Sequence, residues 1–397
     1  MDSSALPACA PPVVEEHRSL PPGLLALAVG GFGIGLTEFV ISGLLSEVAR
    51  DLHVGVPAAG ALVWGYALAV VVGAFTVTAA LTRRPPRAAL LVLLGLFVVG
   101  NAATAAAPDF TVAVAGRVVT ALCHGGFFGI GAVLAGDLVP VHRRASAVAV
   151  MFGGLTLANV LGVPFGTFVG QQLGWRAAFW CIAAIGVVAM AGVRLLVPRR
   201  PAPPTAGSHL GVLLRPQVIV SMLLTMTMFG GLFGAFIYVE PLVRHVTGFS
   251  ETAVPWLLVV FGVGLFAGNL LGGRAADRSL TTTFRVLAVL LPLVLVAYAL
   301  TASWRPAVVV LLLAMGLVGF AATPALQVRV MQFAGDAPTM ASAANIAAFN
   351  LGNAIGSALG GLTIALGLGW RSPVWVGAAM ALAGSVLVFS TTHEADR

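Results

Sequence analysis

Leu173-Gly174-Trp175-Arg176 and Leu368-Gly369-Trp370-Arg371 stand 195 positions apart, each closing a glycine- and asparagine-rich apolar stretch. The same offset carries Gly73 and Arg83 onto Gly268 and Arg278, and an offset of 194 carries Asn159, Gly162 and Gly166 onto Asn353, Gly356 and Gly360. Small motifs coincide easily in apolar sequence, but an offset shared by separated regions marks a chain of 397 residues that carries one half twice. Parallel halves of this size predict a duplicated bundle with a site at the interface between the halves.

Composition gives the solvent. The chain is 59% hydrophobic and 9% charged, with a mean hydropathy of +1.01, and so much apolar area cannot face water. Apolar stretches of about 20 residues, the length that crosses a hydrocarbon core as helix, fall near 23–46, 57–81, 88–107, 109–136, 145–170 and 176–197, then near 217–241, 253–275, 284–302, 306–328, 338–366 and 371–391. The expected fold is an all-α membrane protein of twelve transmembrane helices in two pseudo-symmetric six-helix bundles. Strands of a membrane barrel would instead be short and alternating.

Orientation is read from arginine, because the sequence has no lysine. With both termini cytoplasmic, fifteen of the 21 arginines fall in inner loops and tails, among them Arg83, Arg84, Arg143, Arg144, Arg199, Arg200 and Arg278. The outer loops keep Arg50, Arg176, Arg244, Arg305 and Arg371, and Arg117 lies within a span. The net charge of +7 is thus topogenic, and nucleic acid, which needs a soluble basic face, is not an expected partner. The domain plan is a flexible cytoplasmic tail over 1–21, bundles over 22–197 and 217–391, a proline-rich cytoplasmic linker over 198–216, and a cytoplasmic tail over 392–397. Residues 1–21 lack the basic-then-apolar order of a cleaved signal. Cys9, Cys123 and Cys181 imply no disulfide or metal framework.

Ionisable groups inside spans are costly and mark function. Glu38, about 16 positions into span 1, and Arg117, about 8 into the oppositely directed span 4, reach similar depth at about 1.5 Å per residue. A titratable carboxyl opposite a permanent cation suits proton coupling, with protonation freeing Arg117 and deprotonation re-engaging it. A static structural pair would leave the same trace. His124, seven residues after Arg117 and hence on nearly the same face, reads either as a packed, hydrogen-bonded histidine or as a proton relay. Glu240, before Pro241 near the outer end of span 7, reads as a solvated rim residue. Candidates for a substrate cavity with aromatic faces and amides are Phe32, Tyr66, Asn159, Phe229, Asn350 and Asn353. The run Gly30-Gly31-Phe32-Gly33-Ile34-Gly35 lies in an apolar helix with no strand before it and is not a dinucleotide loop. No nucleophile, base and orienting group cluster in a hydrophilic segment, so an enzyme is not expected. With no phosphate-binding Walker sequence either, energy would come from an ion gradient, with no cofactor.

Gly162, Gly166 and Gly170 recur every four residues and make a smooth ridge on span 5, as do Gly268 with Gly272, and Gly352 with Gly356 and Gly360. Such ridges serve either general tight packing or sliding contact between moving halves, and the sliding reading puts Gly166 at the boundary between them. Pro164 removes a backbone donor and bends span 5.

Thr37-Glu38-Phe39 with Gly43-Leu44-Leu45, Arg117 followed by Gly125-Gly126, the run Leu157-Ala158-Asn159-Val160-Leu161-Gly162-Val163-Pro164, and Gly174-Trp175-Arg176 together resemble the major facilitator superfamily. The likeness covers roughly residues 20–392 and points to its twelve-span drug:proton antiporter branch, which includes arabinose-efflux-permease and chloramphenicol-exporter-like proteins. The resemblance implies a carrier in a plasma (inner) membrane that exchanges inward protons for an outgoing small molecule by alternating access; a monomer is expected. Its expected cargo is an amphipathic drug or antibiotic of the chloramphenicol type, and the alternative is a sugar or nucleoside metabolite. It also implies that span 5 faces span 8, that span 11 faces span 2, and that the Gly-Pro region of span 5 accompanies export. The family's loop between spans 2 and 3 has an acidic residue before its basic ones; Thr82-Arg83-Arg84 lacks it, whereas Gly273-Arg274-Ala275-Ala276-Asp277-Arg278 keeps it. A gating role is therefore expected of Asp277 and Arg278 more than of Arg83 and Arg84. Ser46 stands where relatives commonly have proline, which implies a softer end to span 1.

Overall fold

A computed structural model of the chain describes residues 20–395 apart from 55–58, 60 and 203–209. Cys9 with the tail to residue 19, the middle of the 198–216 linker and the last two residues lie outside the described residues. All regular structure among those described is helical. The first bundle comprises α1 (Pro22–Asp51), α2 (Ala61–Leu81), α3 (Pro86–Ala105), α4 (Phe110–Asp137), α5 (Arg144–Leu157) continuing into α6 (Val163–Leu173), and α7 (Trp175–Leu196). The second comprises α8 (Pro216–Phe236) with the short α9 (Val239–His245), α10 (Val254–Arg278), α11 (Leu280–Thr301), α12 (Arg305–Phe333), α13 (Pro338–Ala365) and α14 (Ser372–Ala395).

Local chemistry sets the ends. α1, α3, α8 and α13 open on proline, whose missing N–H costs nothing in a first turn. The repeated Leu-Gly-Trp-Arg motif is a turn in both halves, with Gly174 at φ +88° and Gly369 at φ +82°, a conformation that a Cβ disfavours. Among the described residues eleven helices are long and apolar enough to cross a membrane. The twelfth, α13, has 28 residues but carries Ser342, Asn345, Asn350, Asn353 and Ser357. Residues 340–349 of it are buried against protein rather than lipid, so its polar groups find partners there.

The face at which α1 begins also carries Arg83, Arg143, Arg144, Arg199 and Arg278; it is termed basal and the opposite face apical. α5 packs on α10, and α13 on α2 and α4, so the pairing expected between the halves is present. The contacts that join the halves gather toward the basal end. Gly129 of α4 lies so close to α13 that an added Cβ would stand 2.7 Å from the Cβ of Ala343. Asn269 donates from Nδ2 to the Ala149 carbonyl at 2.6 Å. Gly273 meets Ala149, Ala145 and Ser146.

The glycine ridges do something else. Gly162, Gly166 and Gly170 pack on Phe32, Leu36, Val40 and Leu44 of α1, within their own bundle. Gly268 and Gly272 approach the main chain of Leu317 and Ala321 on α12, and Gly352 and Gly356 that of Met226 and Gly230 on α8. Gly360 meets Tyr238 and Pro373. Placing Gly166 at the boundary between moving halves is thereby corrected: a stripe of small residues gives the spacing of a close contact but not its direction. The disturbance expected at Pro164 is a π-turn over Ala158–Gly162, where the proline offers no N–H to the Val160 carbonyl.

Candidate functional site

Arg117 is 1% exposed inside the first bundle. A guanidinium there must find acceptors in a fixed fork, and α1 and α2 supply them. Nε donates to the Leu62 carbonyl at 3.1 Å, and Nη1 to the Thr37 carbonyl at 2.6 Å and to Thr37 Oγ1 at 3.2 Å. The plane lies over Tyr66, 4.3 Å from the ring centroid, where the π face offers further attraction. Thr37 Oγ1 donates in turn to Asn101 Oδ1 at 2.6 Å, and Asn101 Nδ2 to the Phe97 carbonyl at 2.8 Å. One buried cation thus ties α1, α2, α3 and α4 together. No hydrogen bond or ion pair joins it to Glu38 in this state.

Tyr66 leads from this cluster to the middle of the molecule. Its hydroxyl is 3.2 Å from His124 Nδ1, and the His124 ring meets Phe128 at 5.2 Å, which stacks on Phe152 at 4.8 Å. His124, Phe152 and Glu38 form the first-bundle wall of a cavity of about 60 Å³ lying between the halves. The opposite wall comprises Phe229, Phe233, Phe320, Thr323, Phe349, Asn350 and Asn353 from α8, α12 and α13. Phe229 holds the rings together, with Phe349 at 4.5 Å, Phe233 at 5.0 Å and Phe320 at 5.3 Å. The cavity is therefore lined by aromatic rings, with a carboxyl and an imidazole on one side and amides on the other; at this volume it takes only water-sized groups, and a drug-sized amphipathic molecule would fit only with the halves moved apart.

A larger cleft of about 1060 Å³ opens on the basal face, lined by Asp137, Arg144, Asp277, Arg278 and Asp336 among others. Its mixed charges are those of a solvated vestibule, and the buried titratable groups lie at the smaller cavity instead. Asp277 seals the cleft's inner edge: its carboxylate accepts from the N–H of Ala145 at 2.7 Å and of Ser146 at 3.0 Å, the free donors at the start of α5. At the apical rim Glu240 accepts from Arg244 at 2.8 Å with both side chains exposed, as a solvated residue should. Asp51 accepts from Arg176 and, at 3.0 Å, from Trp175 Nε1, pinning the end of α1 to the start of α7.

Of the residues anticipated from sequence, Glu38, His124, Phe229, Asn350 and Asn353 meet at the cavity. Tyr66 lies one layer behind it, beneath Arg117. Phe32 packs against Gly162, and Asn159 donates to the Leu155 carbonyl of its own helix at 3.2 Å; neither borders the cavity. Arg83 and Arg84 lie at the end of α2, away from it. Phe152, Phe233, Phe320, Thr323 and Phe349 were missed. Phe229 and Phe233 are one turn apart, a spacing that could have paired them, but the others carry no mark distinguishing a cavity wall from ordinary packing.

The sequence model of the Major Facilitator Superfamily matches residues 27–246 and again 221–397. The inner membrane transport protein YdhP of Escherichia coli (strain K12) is 42% identical over 94% of this chain and 96% of its own. A chloramphenicol resistance protein of Streptomyces lividans is 35% identical over 93% and 96%. Among solved structures, the E. coli fucose:proton symporter FucP superposes with a TM-score of 0.76 at 13% identity, covering 94% of this chain and 99% of that one, and so shares the fold. Family and relatives make this a multi-pass membrane transporter rather than an enzyme, in a family that generally needs no cofactor. With eleven apolar spans and α13 as a twelfth among the described residues, and a cavity where the two halves meet, the chain belongs to the Major Facilitator Superfamily.

Proposed function

We propose that the chain is a proton-coupled exporter of a small amphipathic molecule of the chloramphenicol type, working by alternating access about the central cavity. The observation that carries this reading is that Glu38, a carboxyl within the spanning helix α1, opens onto the same aromatic cavity that would hold the cargo. Proton and cargo then share one compartment, so occupancy by one can oppose the other. His124 borders that cavity while hydrogen-bonded to Tyr66, and Tyr66 covers Arg117, so a change of charge at the wall is felt at the buried cation. The chloramphenicol resistance protein named above supports the cargo class, and the phenylalanine lining favours it over a sugar or nucleoside. The arginine-rich basal face is assigned to the cytoplasm, with both termini and the 198–216 linker. Gating is assigned to Asp277 and Arg278 at the basal seam.

The test is transport by purified protein in proteoliposomes. An imposed proton gradient should drive [14C]chloramphenicol against its concentration gradient, and collapse of the proton gradient by an uncoupler should stop it. Accumulation that persists without the gradient would refute proton coupling; absence of any chloramphenicol movement would refute the cargo.

A further inference from the structure

The cavity wall on α12 holds a hydroxyl with nothing to bond. Thr323 is 1% exposed, borders the central cavity, and its Oγ1 has no hydrogen-bond partner. Thr78 on α2 is buried and unbonded away from the cavity, but other buried helical threonines bond the carbonyl one turn back, as Thr104 does to Gly100 at 2.9 Å and Thr120 to Gly116 at 3.0 Å. Thr323 does not, although leaving a buried hydroxyl unpaired is unfavourable. The next residue is Pro324, inside the helix, which has no N–H to give the carbonyl of Phe320. One turn of α12 at the cavity therefore has both an unbonded hydroxyl and a carbonyl deprived of its helical donor.

The tier below offers no such opening. Gln327, one turn toward the basal face, donates to Ser342 and accepts from Asn345 Nδ2 at 2.8 Å, while Asn345 Oδ1 accepts from Thr225 at 2.7 Å. These groups lie one turn basal of Thr323, Phe349 and Phe229 respectively and close on one another, bracing α8, α12 and α13. The polar tier one turn basal is thus satisfied, whereas Thr323 at the cavity keeps a buried oxygen without a partner.

We infer that Thr323 is the specificity-determining hydrogen-bonding residue of the cavity, and that it selects an aromatic ligand bearing an uncharged donor–acceptor group, a hydroxyl or secondary amide. An uncharged partner fits because the titratable side chains at the cavity, Glu38 and His124, stand on the opposite wall. The group must both give and take, since the hydroxyl can do either and the Phe320 carbonyl only accepts. This assignment rests on the proposal that the central cavity takes the cargo.

The experiment measures binding to purified wild-type protein and to Thr323→Val and Thr323→Ser, by equilibrium dialysis. The probes are chloramphenicol, an aromatic compound with an amide and hydroxyls, and tetraphenylphosphonium, an aromatic cation with neither donor nor acceptor. Valine keeps the shape and removes an oxygen that no protein group uses, so folding should be unaffected. Chloramphenicol should bind Thr323→Val about fivefold to tenfold more weakly, the worth of one hydrogen bond, and Thr323→Ser about as tightly as wild type. Tetraphenylphosphonium, where it binds, should not distinguish the three. Unchanged chloramphenicol affinity in Thr323→Val, an equal loss of both probes, or a failure of Thr323→Ser to retain binding would overturn the assignment of Thr323 alone. A wild type that takes tetraphenylphosphonium but not chloramphenicol would overturn the ligand class. Wild-type protein that binds neither would overturn the cargo reading, and this assignment with it.

Discussion

Glu38 is the residue on which proton coupling is proposed to turn, and Glu38→Gln separates its charge from its shape. The amide cannot exchange a proton during the cycle, so gradient-driven chloramphenicol accumulation should fall at least about tenfold while downhill exchange survives. Proteoliposome accumulation and counterflow measure the two arms, and full coupling in Glu38→Gln would move the role to His124. Asp51 supplies a control at the apical rim. The hydrogen bonds from Arg176, then from Trp175, hold its carboxyl below the usual carboxylate range. A group lowered by folding stabilises fully above its unfolded value of about 3.9 and loses that contribution as pH falls through the native value. The apical staple is therefore constant between about pH 5 and 8, and Asp51→Ala should lower the melting temperature by the same few degrees throughout, about 1 kcal/mol for so exposed a contact. A difference that changed across that window would show another group titrating there. The rarity of charge inside spans made Glu38 and Arg117 legible in the sequence. Their relation was not, because counting residues gives depth along a helix but not the direction in which a long side chain turns; Arg117 turns to the carbonyls of Leu62 and Thr37.

Glycine repeats rank differently once their neighbours are known. A Cβ at Gly268 would stand 2.0 Å from the Leu317 carbonyl oxygen, and main chain cannot yield as a side chain can. At Gly166 the corresponding neighbour is Val40 Cγ2 at 2.7 Å, the tip of a side chain. Gly268→Ala should therefore cost about 2 kcal/mol or more in stability, and Gly166→Ala about 1 or less. Thermal unfolding in detergent checks the order; equal losses would refute it. Helix number, span limits and the doubled half were legible because apolar length and repeated turns are local properties. α13 was read as an apolar stretch over 338–366, although its asparagines leave it short of the apolarity expected of a span. The phenylalanines of the cavity stayed hidden, since Phe152, Phe320 and Phe349 are as apolar as any lipid-facing neighbour and only assembly of two bundles distinguishes them.

The two bundles are held together at one end, and unequally. On the α5–α10 side the seam is polar, with the Asp277 carboxylate on two helix-start amides and Asn269 on the Ala149 carbonyl. On the side of α13 it is made of Gly129, Ala74, Ala343 and Ala347 packed together. Asp277→Asn keeps the size but weakens the bond to those amides, so the basal end should open more often. Spin labels at residues 84 and 336, read by pulsed electron resonance, should show a longer-distance population grow about threefold to tenfold; an unchanged distribution would mean that the packed side alone holds the closed state. The π-turn between α5 and α6 gives this arrangement a further consequence. An extra residue in one turn shifts every later side chain by about 100° around the axis. Below the turn Gly154, and within it Ala158, face α1 as Gly162, Gly166 and Gly170 do above it, while Ala145, Ala149 and Val160 meet the partner bundle. On a regular helix a stripe at every fourth residue would drift by about 40° per step, and the turn takes back about 100° of that drift. One groove therefore stays seated on α1 past the proline, and the opposite face of the same rod is left to meet the other bundle.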